Sequence, residues 1–385
     1  MPWLVTGALS LVLIGVRAAA LPRENLFWDQ QAYVRALGDF LQGGNPYRAD
    51  VAFPFVYHPI VLAVFSLFGS QLARVLSVAS VAMAAWFVVT SASLPVADKG
   101  HLLLAASAIG GFGVTSVASG NITTPLHFLL IAVVIAAATS GEPSRIRRLT
   151  LLLVGLALIK PYFLAYAILP VVLARSRSRA IATLGASAVA LALIVFGDYL
   201  ARPALSRAFL DALSQLVVRG DLGIGVFRFL THHGYSSAVS MIGHLAVVAG
   251  AGAVTAGAFT YCHADGVRDL RLMRALLVYF VCTLLNPRMQ VYDVFPALVC
   301  LLFCCGLVVR GRMLTMSAAA LALLATAIPS AIEQFARDPE AWTPLLRNDL
   351  LPQLTALGIV WVAFLGICVA YGRRDRLVPQ VQPGA

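Results

Sequence analysis

Apolar runs of about 16–26 residues recur along most of this chain, near 3–20, 71–92, 101–118, 122–139, 181–198, 235–260, 271–286, 289–309, 314–332 and 351–371. A helix needs roughly 20 such residues to cross the hydrocarbon of a bilayer. The repetition therefore predicts an all-α integral membrane protein, a polytopic bundle of about ten spans. Composition agrees, since 60% of the 385 residues are hydrophobic and 12% are charged, against roughly 25% charged in soluble domains. With lipid as solvent, counting domains by length loses its meaning, and 1–385 reads as one transmembrane domain.

The polar remainder bears on partners. Lys and Arg total 28 and the net charge is +11, but the arginines fall in short loops between apolar runs and do not cluster with aromatics on a soluble face. That is the pattern that orients membrane proteins; it points to membrane lipids and away from nucleic acid. All but two of these 28 residues are Arg, the exceptions being Lys99 and Lys160, an excess that suits a GC-rich bacterial genome. Of the six cysteines, Cys282, Cys300, Cys304, Cys305 and Cys368 lie inside apolar runs and Cys262 outside them. No disulfide framework or zinc spacing is implied. Ala18-Ala19-Ala20 resembles a leader cleavage site, but no Lys or Arg precedes the first apolar run, so that run is expected to stay as a span.

The segment 150–173, TLLLVGLALIKPYFLAYAILPVVL, is long enough to cross once. Yet Arg145, Arg147 and Arg148 precede it and Arg175, Arg177 and Arg179 follow it. A single crossing would put one cluster outside. Lys160-Pro161 also interrupts the segment, because Pro removes a helix donor and restrains its predecessor. Two half-length helices that dip in and return satisfy both facts, with Lys160 at the tip facing a cavity, since broken helices at membrane depth need protein or water around them. With that hairpin the short inner loops hold fifteen basic residues against five acidic ones, and the outer side holds twelve of each. A single crossing would invert everything after it.

The outer side then has three long loops, 21–70, 199–234 and 333–350. In the second, Leu205, Phe209, Leu213 and Leu216 recur at helical spacing opposite Arg207, Asp211 and Ser214, the pattern of an amphipathic helix lying on a membrane surface. In the first, residues 60–68 are apolar but too short to span, and 26–42 read as another surface helix. At 100° per residue, Leu26, Asp29, Tyr33, Leu37 and Phe40 share one face, with Gln31, Arg35 and Gln42 opposite. Asp29 thus lies on the apolar side, where a carboxylate loses hydration unless something compensates. It either faces the positive end of its own helix dipole, pairs with an Arg, or serves as a base presented to a cavity. Gly43-Gly44-Asn45-Pro46-Tyr47 then turns the chain, and FPFVYHP, 53–59, returns it to the membrane with His58 held extended before Pro59.

This order of features resembles glycosyltransferase family 87, polytopic enzymes of the GT-C fold related to the polyprenol-phosphate-mannose-dependent mannosyltransferases. The resemblance rests on the outer-loop Asp, the Gly-Gly-Asn-Pro-Tyr turn, Tyr57-His58-Pro59 and the short apolar helix after it. Three later pieces fit the same pattern: Ser119-Gly120-Asn121 at an outer turn, Leu156 to Pro161 as a Lys-Pro segment, and Leu285-Asn286-Pro287-Arg288 as a tip between two spans. It covers about residues 5–310. It implies a catalytic base at Asp29 and a polyprenyl-phosphate sugar as donor, with no separate cofactor. Family mannosyltransferases commonly carry histidines shortly after the tip. Here Tyr292-Asp293 stands instead, which leaves the sugar and the acceptor, a glycan or a lipid, open.

An inverting transfer needs a base for the acceptor hydroxyl, which Asp29 would supply, and fixed cations for the departing lipid phosphate. Arg288 suits bidentate phosphate binding, with Lys160 and His58 as further candidates. Asn121, Gln290 and Tyr292 can bond sugar hydroxyls, Tyr33 and Tyr57 can stack on a ring, and Asp293 is either an acceptor ligand or structural. Each has a plainer reading. Arg288 can anchor at headgroups, Lys160 can snorkel or pair with Asp293, and His232-His233, which could reach the lipid phosphate from the end of the second loop, can be surface residues. No Asp-x-Asp pair, glycine-rich phosphate loop or zinc spacing asks for a metal. The expected protein is a hexosyltransferase on the outer face of a bacterial plasma membrane. A transporter or lipid flippase working around Lys160 is the rival, although no repeat relates the two halves as transporters often show. An inactive partner in polymer assembly is a third possibility.

Overall fold

The computed structural model describes residues 2–20, 27–48, 55–90, 96–140, 142–218, 223, 225–261, 270–308, 354–356 and 358–366. The expected span 314–332, the third loop 333–350, Cys262 and Cys368, and the basic residues of 262–269, 309–313 and 367–385 lie outside them. The described residues are all helix and connecting turns, without strands. Three helices are long and apolar enough to cross a membrane: Thr123–Ser140, Arg177–Ala201 and Ser237–Gly257. A bent pair, Asp98–Ala108 with Phe112–Ser119, makes a fourth if counted as one span. Shorter apolar helices include Gly7–Val16, Pro59–Phe68 and Tyr292–Leu307.

In chain order the helices are α1 (Pro2–Ala20), α2 (Trp28–Leu41), α3 (Pro59–Phe68), α4 (Gln71–Thr90), α5 (Val96–Ala108), α6 (Phe112–Ser119), α7 (Thr123–Ser140), α8 (Pro143–Ile159), α9 (Ile168–Leu173), α10 (Arg177–Ala201), α11 (Pro203–Val218), α12 (Val226–His232), α13 (Ser237–Tyr261), α14 (Leu270–Leu284) and α15 (Val291–Val308). The main core gathers apolar side chains from α5 to α9, α14 and α15. Helix α7 is apolar all round and buried along its length, as a helix at the centre of a bundle must be. By contrast α10 and α13 leave most of their apolar residues exposed, with Leu193 64% and Ile242 68% accessible. Exposure on that scale marks a surface meant for a non-aqueous neighbour.

One expected span is broken. The run 101–118 bends by 76° between α5 and α6. A 3₁₀ turn at Ile109–Gly111 makes the bend, with Gly111 in the left-handed region at φ 69. Gly113 then lies so close to α5 that a Cβ there would stand 2.6 Å from the Ser107 Cα.

The Lys-Pro segment also departs in detail from the expected pair of half-helices. Helix α8 begins at Pro143, at the favoured first helical position, so the Arg145–Arg148 cluster belongs to the helix. Its 17 residues reach about 26 Å, close to the roughly 30 Å of a hydrocarbon core. Lys160 is extended (φ −145, ψ 109). A 3₁₀ stretch Pro161–Ala167 and then α9 turn back to pack on α8. At the return foot the Leu173 carbonyl accepts from Arg271 at the start of α14. At the starting foot Arg145 donates to the Ala136 carbonyl near the end of α7, at 3.1 Å. The tip, Lys160, meets Thr123 at the opposite end of α7.

A second, smaller core holds the outer elements together. Tyr33 and Ala36 of α2, Tyr47, Phe55, Tyr57, Val61 and Phe65 of α3, and Phe209 and Ala212 of α11 are buried in it. The periodicity of α2 is as expected: Tyr33 is buried, Leu37 and Phe40 pack on this core, and Gln31 and Gln42 are exposed. Leu26 lies outside the described residues. The amphipathic helix in 199–234 is present as α11, but its apolar stripe is spent on protein. Leu205, Phe209 and Leu213 pack on the second core, with the Phe209 ring 5.5 Å from Tyr47 and 5.4 Å from His58. The α10–α11 corner fixes this placement. Arg202 pairs with Asp198, and Ser206 donates to the same carboxylate at 3.5 Å.

The path of α7, α8, the return and α14 gathers Arg145, Arg271 and the foot of α10 at one end of the bundle and Lys160 at the other. Single cysteines at positions 145 and 177 are accordingly expected to react with a membrane-impermeant thiol reagent from the same side. Labelling from opposite sides would overturn the doubled-back path.

Candidate functional site

The elements converge on the turn between α6 and α7. Gly120 is left-handed (φ 69), and a Cβ on it would stand 3.0 Å from the Phe27 ring. Phe27, itself left-handed at φ 58, donates its N–H to the Ala118 carbonyl at 2.6 Å. This contact docks the start of α2, which has no side-chain cap, directly on the turn and aims its first residues there.

Asp29 is then met by Asn121, whose Nδ2 donates to Asp29 Oδ2 at 2.9 Å. The other end of the same amide, Oδ1, accepts from the Thr123 N–H at 2.8 Å and from the Tyr57 hydroxyl at 2.9 Å. A backbone donor on Oδ1 settles which way the amide lies. Tyr57 Oη also lies 3.1 Å from Tyr33 Oη, which accepts from the Ile122 N–H at 3.3 Å. Lys160 Nζ donates to Thr123 Oγ1 at 3.2 Å and is ringed by Tyr57, Tyr162 and Tyr292, 5.4, 5.0 and 5.0 Å from their centroids. Aromatic faces stabilise an ammonium group removed from water. Thr123 takes one of its three donors.

Burial pushes the Asp29 carboxyl up to about 6 from an ordinary 3.8, opposed by the Asn121 hydrogen bond and by the Lys160 charge. A carboxylate poised there can accept a proton near neutral pH. Burial also keeps Tyr33 and Tyr57 protonated, with the charge on Asp29 adding to it, so both stay hydrogen-bond donors.

On the far side of Lys160 lies a largely buried network that sequence reasoning missed. His127 Nδ1 is 2.5 Å from Tyr279 Oη, and its Nε2 is 2.6 Å from Tyr162 Oη and 3.2 Å from Asp293 Oδ1. Tyr162 donates to Asp293 Oδ1 at 2.8 Å, and Oδ2 accepts from Asn286 Nδ2 at 3.2 Å and the Gln290 N–H at 2.9 Å. The bond to Gln290 closes the first turn of α15 in the manner of a capping box. A lone ionisable residue inside an apolar run was the available signal for His127.

The predicted site residues divide accordingly. Asp29, Asn121, Tyr33, Tyr57, Lys160 and Tyr292 come together. Asn121 is engaged by Asp29, Tyr57 and Thr123, which makes it an orienting group more than a free sugar ligand. Asp293 is 1% exposed with both oxygens satisfied, so it shapes the wall behind Tyr162. Gln290 enters through its backbone N–H. Arg288 sits on the α14–α15 tip, its charge acting on Lys160 and Tyr292. Gly223 and Gly225 lie against that tip, where a Cβ on Gly223 would fall 2.9 Å from the Arg288 Cα and one on Gly225 3.2 Å from the Pro287 carbonyl oxygen. His58 is turned elsewhere: its Nδ1 caps α3 by accepting from the Ile60 N–H at 3.3 Å, and its Nε2 is 3.8 Å from Asp198. Burial pulls its imidazole below the usual histidine range, Asp198 opposing and Arg202 adding. A neutral, capping His58 is a poor phosphate ligand. His232 and His233 meet edge-on, and His233 also meets Phe229 of α12.

The described residues are all-helical, with candidate membrane-spanning helices and a partly buried Asp29–Lys160 cluster at the end of the bundle. Compared with known proteins, the chain matches no family model and no curated sequence.

Because folded Asp29 holds its proton to about 6 and an unperturbed one releases it near 3.8, ionising it costs stability as pH rises through that window. Asp29→Asn is expected to flatten the fall in melting temperature between those pH values; an unchanged slope would refute the assignment. Asn121→Ala removes the donor that lowers the Asp29 value, so the apparent pKa read from a pH titration should move above that of the native protein.

Proposed function

We propose that this protein is an integral-membrane glycosyltransferase of GT-C type, moving a sugar from a polyprenyl-phosphate donor to a glycan or lipid acceptor with inversion at the anomeric carbon. The observation that carries this reading is the pairing of one proton-holding carboxyl, Asp29, with one partly buried ammonium, Lys160, both pinned through Asn121 and Thr123 but to different atoms. The finer architecture of about ten spans, with this site on the outer face of a bacterial plasma membrane, belongs to the same proposal, as does mannose as the sugar suggested by the resemblance to family 87.

In the proposed reaction the acceptor hydroxyl attacks the anomeric carbon while Asp29 takes its proton. Asn121 occupies Oδ2, so Oδ1 is the oxygen presented. The bond between the anomeric carbon and the phosphate oxygen breaks, and the electron pair leaves with the lipid phosphate. Lys160 and Arg288 are the cations placed to meet that charge, where fixed positive groups contribute most. Tyr292 offers its hydroxyl and ring face to the sugar, while Tyr57, 3% exposed with its hydroxyl on Asn121, holds the orienting amide in place.

Two observations favour transport as a second reading. The described residues include two interrupted helical segments, at 109–111 and at 160–161, and an ionisable pair, His127 and Asp293, deep in the bundle. Broken helices and buried ionisable groups are features of solute pathways. Both breaks lie in the first half of the chain, without a counterpart pair among the described residues of the second.

Radiolabelled polyprenyl-phosphate sugars supplied to the purified protein with membrane acceptors separate these readings. Wild type is expected to transfer label, and Asp29→Asn to lose about 10²–10⁴-fold in rate. Lys160→Met should lose about 10²–10³-fold. Normal transfer by Asp29→Asn would sink the base assignment. Absence of transfer by the wild type, together with solute movement in reconstituted vesicles, would establish the second reading in its place.

A further inference from the structure

A second arginine, Arg228 of α12, is brought to the α14–α15 tip through one glycine. Gly223 has φ 108 and is buried against the backbone of Arg288 and Met289, where a Cβ would stand 3.0 Å from the Arg288 carbonyl carbon and 3.2 Å from the Met289 oxygen. Glycine alone combines that φ with so close an approach. Two residues on, Gly225 is held between the tip and α13, since a Cβ there would lie 3.8 Å from His244 Cε1. The Gly223 carbonyl accepts from Arg228 Nη1 at 2.8 Å. Gly223 is therefore in contact with both Arg228 and Arg288.

The fold leaves most of the Arg228 guanidinium unused. The bond to Gly223 takes one of five N–H donors. Nε is buried and has no hydrogen-bond partner, although the residue as a whole is only half-buried. Among the described residues Arg228 forms no ion pair. Charged side chains withdrawn from water are normally paired, and a buried donor without a partner calls for an acceptor. The bond to Gly223 is made through Nη1, so the other edge of the group, Nε with Nη2, stays whole. That edge is the fork that meets two oxygens of one phosphate or carboxylate.

Its neighbours decide the sign of what binds there. Gly223 joins Arg228 to Arg288, whose charge reaches Lys160. Lys160 also forms no ion pair among the described residues. The two carboxyls that act on Lys160, Asp29 and Asp293, are held by Asn121 and by Asn286 and the Gln290 N–H. Neither ion-pairs with Arg228. Groups of one sign along partly buried walls concentrate the opposite charge.

We propose that Arg228 is a phosphate-binding residue, gripping a phosphate ester by its Nε–Nη2 edge beside the Arg288 tip. The proposal rests on the glycosyl-transfer reading for one point, that the phosphate is carried by a prenyl lipid. The chemistry that the guanidinium selects is phosphate itself, from the lipid or free in solution. In the first case Arg228 meets the phosphate of the donor on the side away from Lys160, and holds it as charge builds on the leaving oxygen.

The test measures binding apart from transfer. Full-length protein in detergent is titrated calorimetrically with farnesyl phosphate, farnesol and inorganic phosphate. Farnesyl phosphate is expected to bind more tightly than the other two. Arg228→Gln keeps a donor for the Gly223 carbonyl and removes the charge; it should melt as wild type does and weaken farnesyl phosphate about tenfold. Arg228→Lys keeps the charge without the fork and should fall between the two. A residue that only braced Gly223 would leave the Gln variant binding as wild type, which would overturn the proposal. Farnesol binding as tightly as farnesyl phosphate would overturn it too. Inorganic phosphate binding equally well, and weakened in the same variants, supports the site and assigns it to free phosphate. If Arg228→Gln loses farnesyl phosphate but wild type transfers no sugar, the glycosyl-transfer reading fails and the phosphate site stands. If wild type transfers sugar and Arg228→Gln binds normally, the phosphate site fails alone.

Discussion

The side-chain amide of Asn121 joins three parts of the chain through its two ends. Its NH₂ group holds Asp29 of α2, and its oxygen holds Tyr57 of the following loop and the Thr123 N–H that opens α7. Asn121, Tyr57 and Thr123 are buried, and a buried polar group left without a partner costs about 1–3 kcal/mol. The arrangement holds as a unit because the backbone beneath it is set by shape. Gly120 must be left-handed and free of a Cβ for Phe27 to lie across it, and that contact determines how α2 enters. The direction of Asp29 thus follows from a glycine that comes four helices later in the chain.

A second polar unit supports the opposite wall. His127, Tyr162, Tyr279, Asp293, Asn286 and the Gln290 N–H satisfy one another inside an otherwise apolar bundle. Partly satisfied networks at low dielectric destabilise, whereas complete ones fix geometry. This one fixes the Tyr162 ring, one of the three faces around Lys160, and ties the α14–α15 tip bearing Arg288 to α7. Lys160 therefore stands between two preformed assemblies, bonded to the first through Thr123 and faced by an aromatic ring of the second.

Local periodicity and backbone chemistry made part of this legible in sequence. The 100° spacing of α2 turned Asp29 inward, and Pro161 marked the break at Lys160, because both signals depend on neighbours a few residues apart. Contacts distant in sequence were not legible. The apolar stripe of α11 was plain, but a stripe does not say whether lipid or protein covers it; Tyr47 and His58 cover it here. The bend between α5 and α6 was missed although Gly110-Gly111-Phe112-Gly113 marks it, since hydropathy averaged over a window hides a change of direction. His58 looked like a ligand until Asp198, 140 residues later, took its outer nitrogen into range. Asn121 was read as a sugar ligand because its partner, Asp29, lies 92 residues before it.

The separation of Asp29 from Lys160 is the feature that a purely structural role explains least well. Opposite charges partly removed from water gain most by direct contact, and the two are near enough for each to act on the other. They nevertheless form no ion pair. Asn121 holds the carboxylate and Thr123 holds the ammonium, and the Thr123 backbone N–H in turn holds Asn121. The chain thus spends two hydrogen-bonding side chains on keeping the charges from collapsing onto each other. A direct pair would lower the Asp29 pKa and consume the donors of Lys160. Held apart, one group stays basic enough to take a proton near neutral pH and the other stays available to an anion. Under the proposed glycosyl transfer, the acceptor hydroxyl would give its proton to the first group and the lipid phosphate would meet the second.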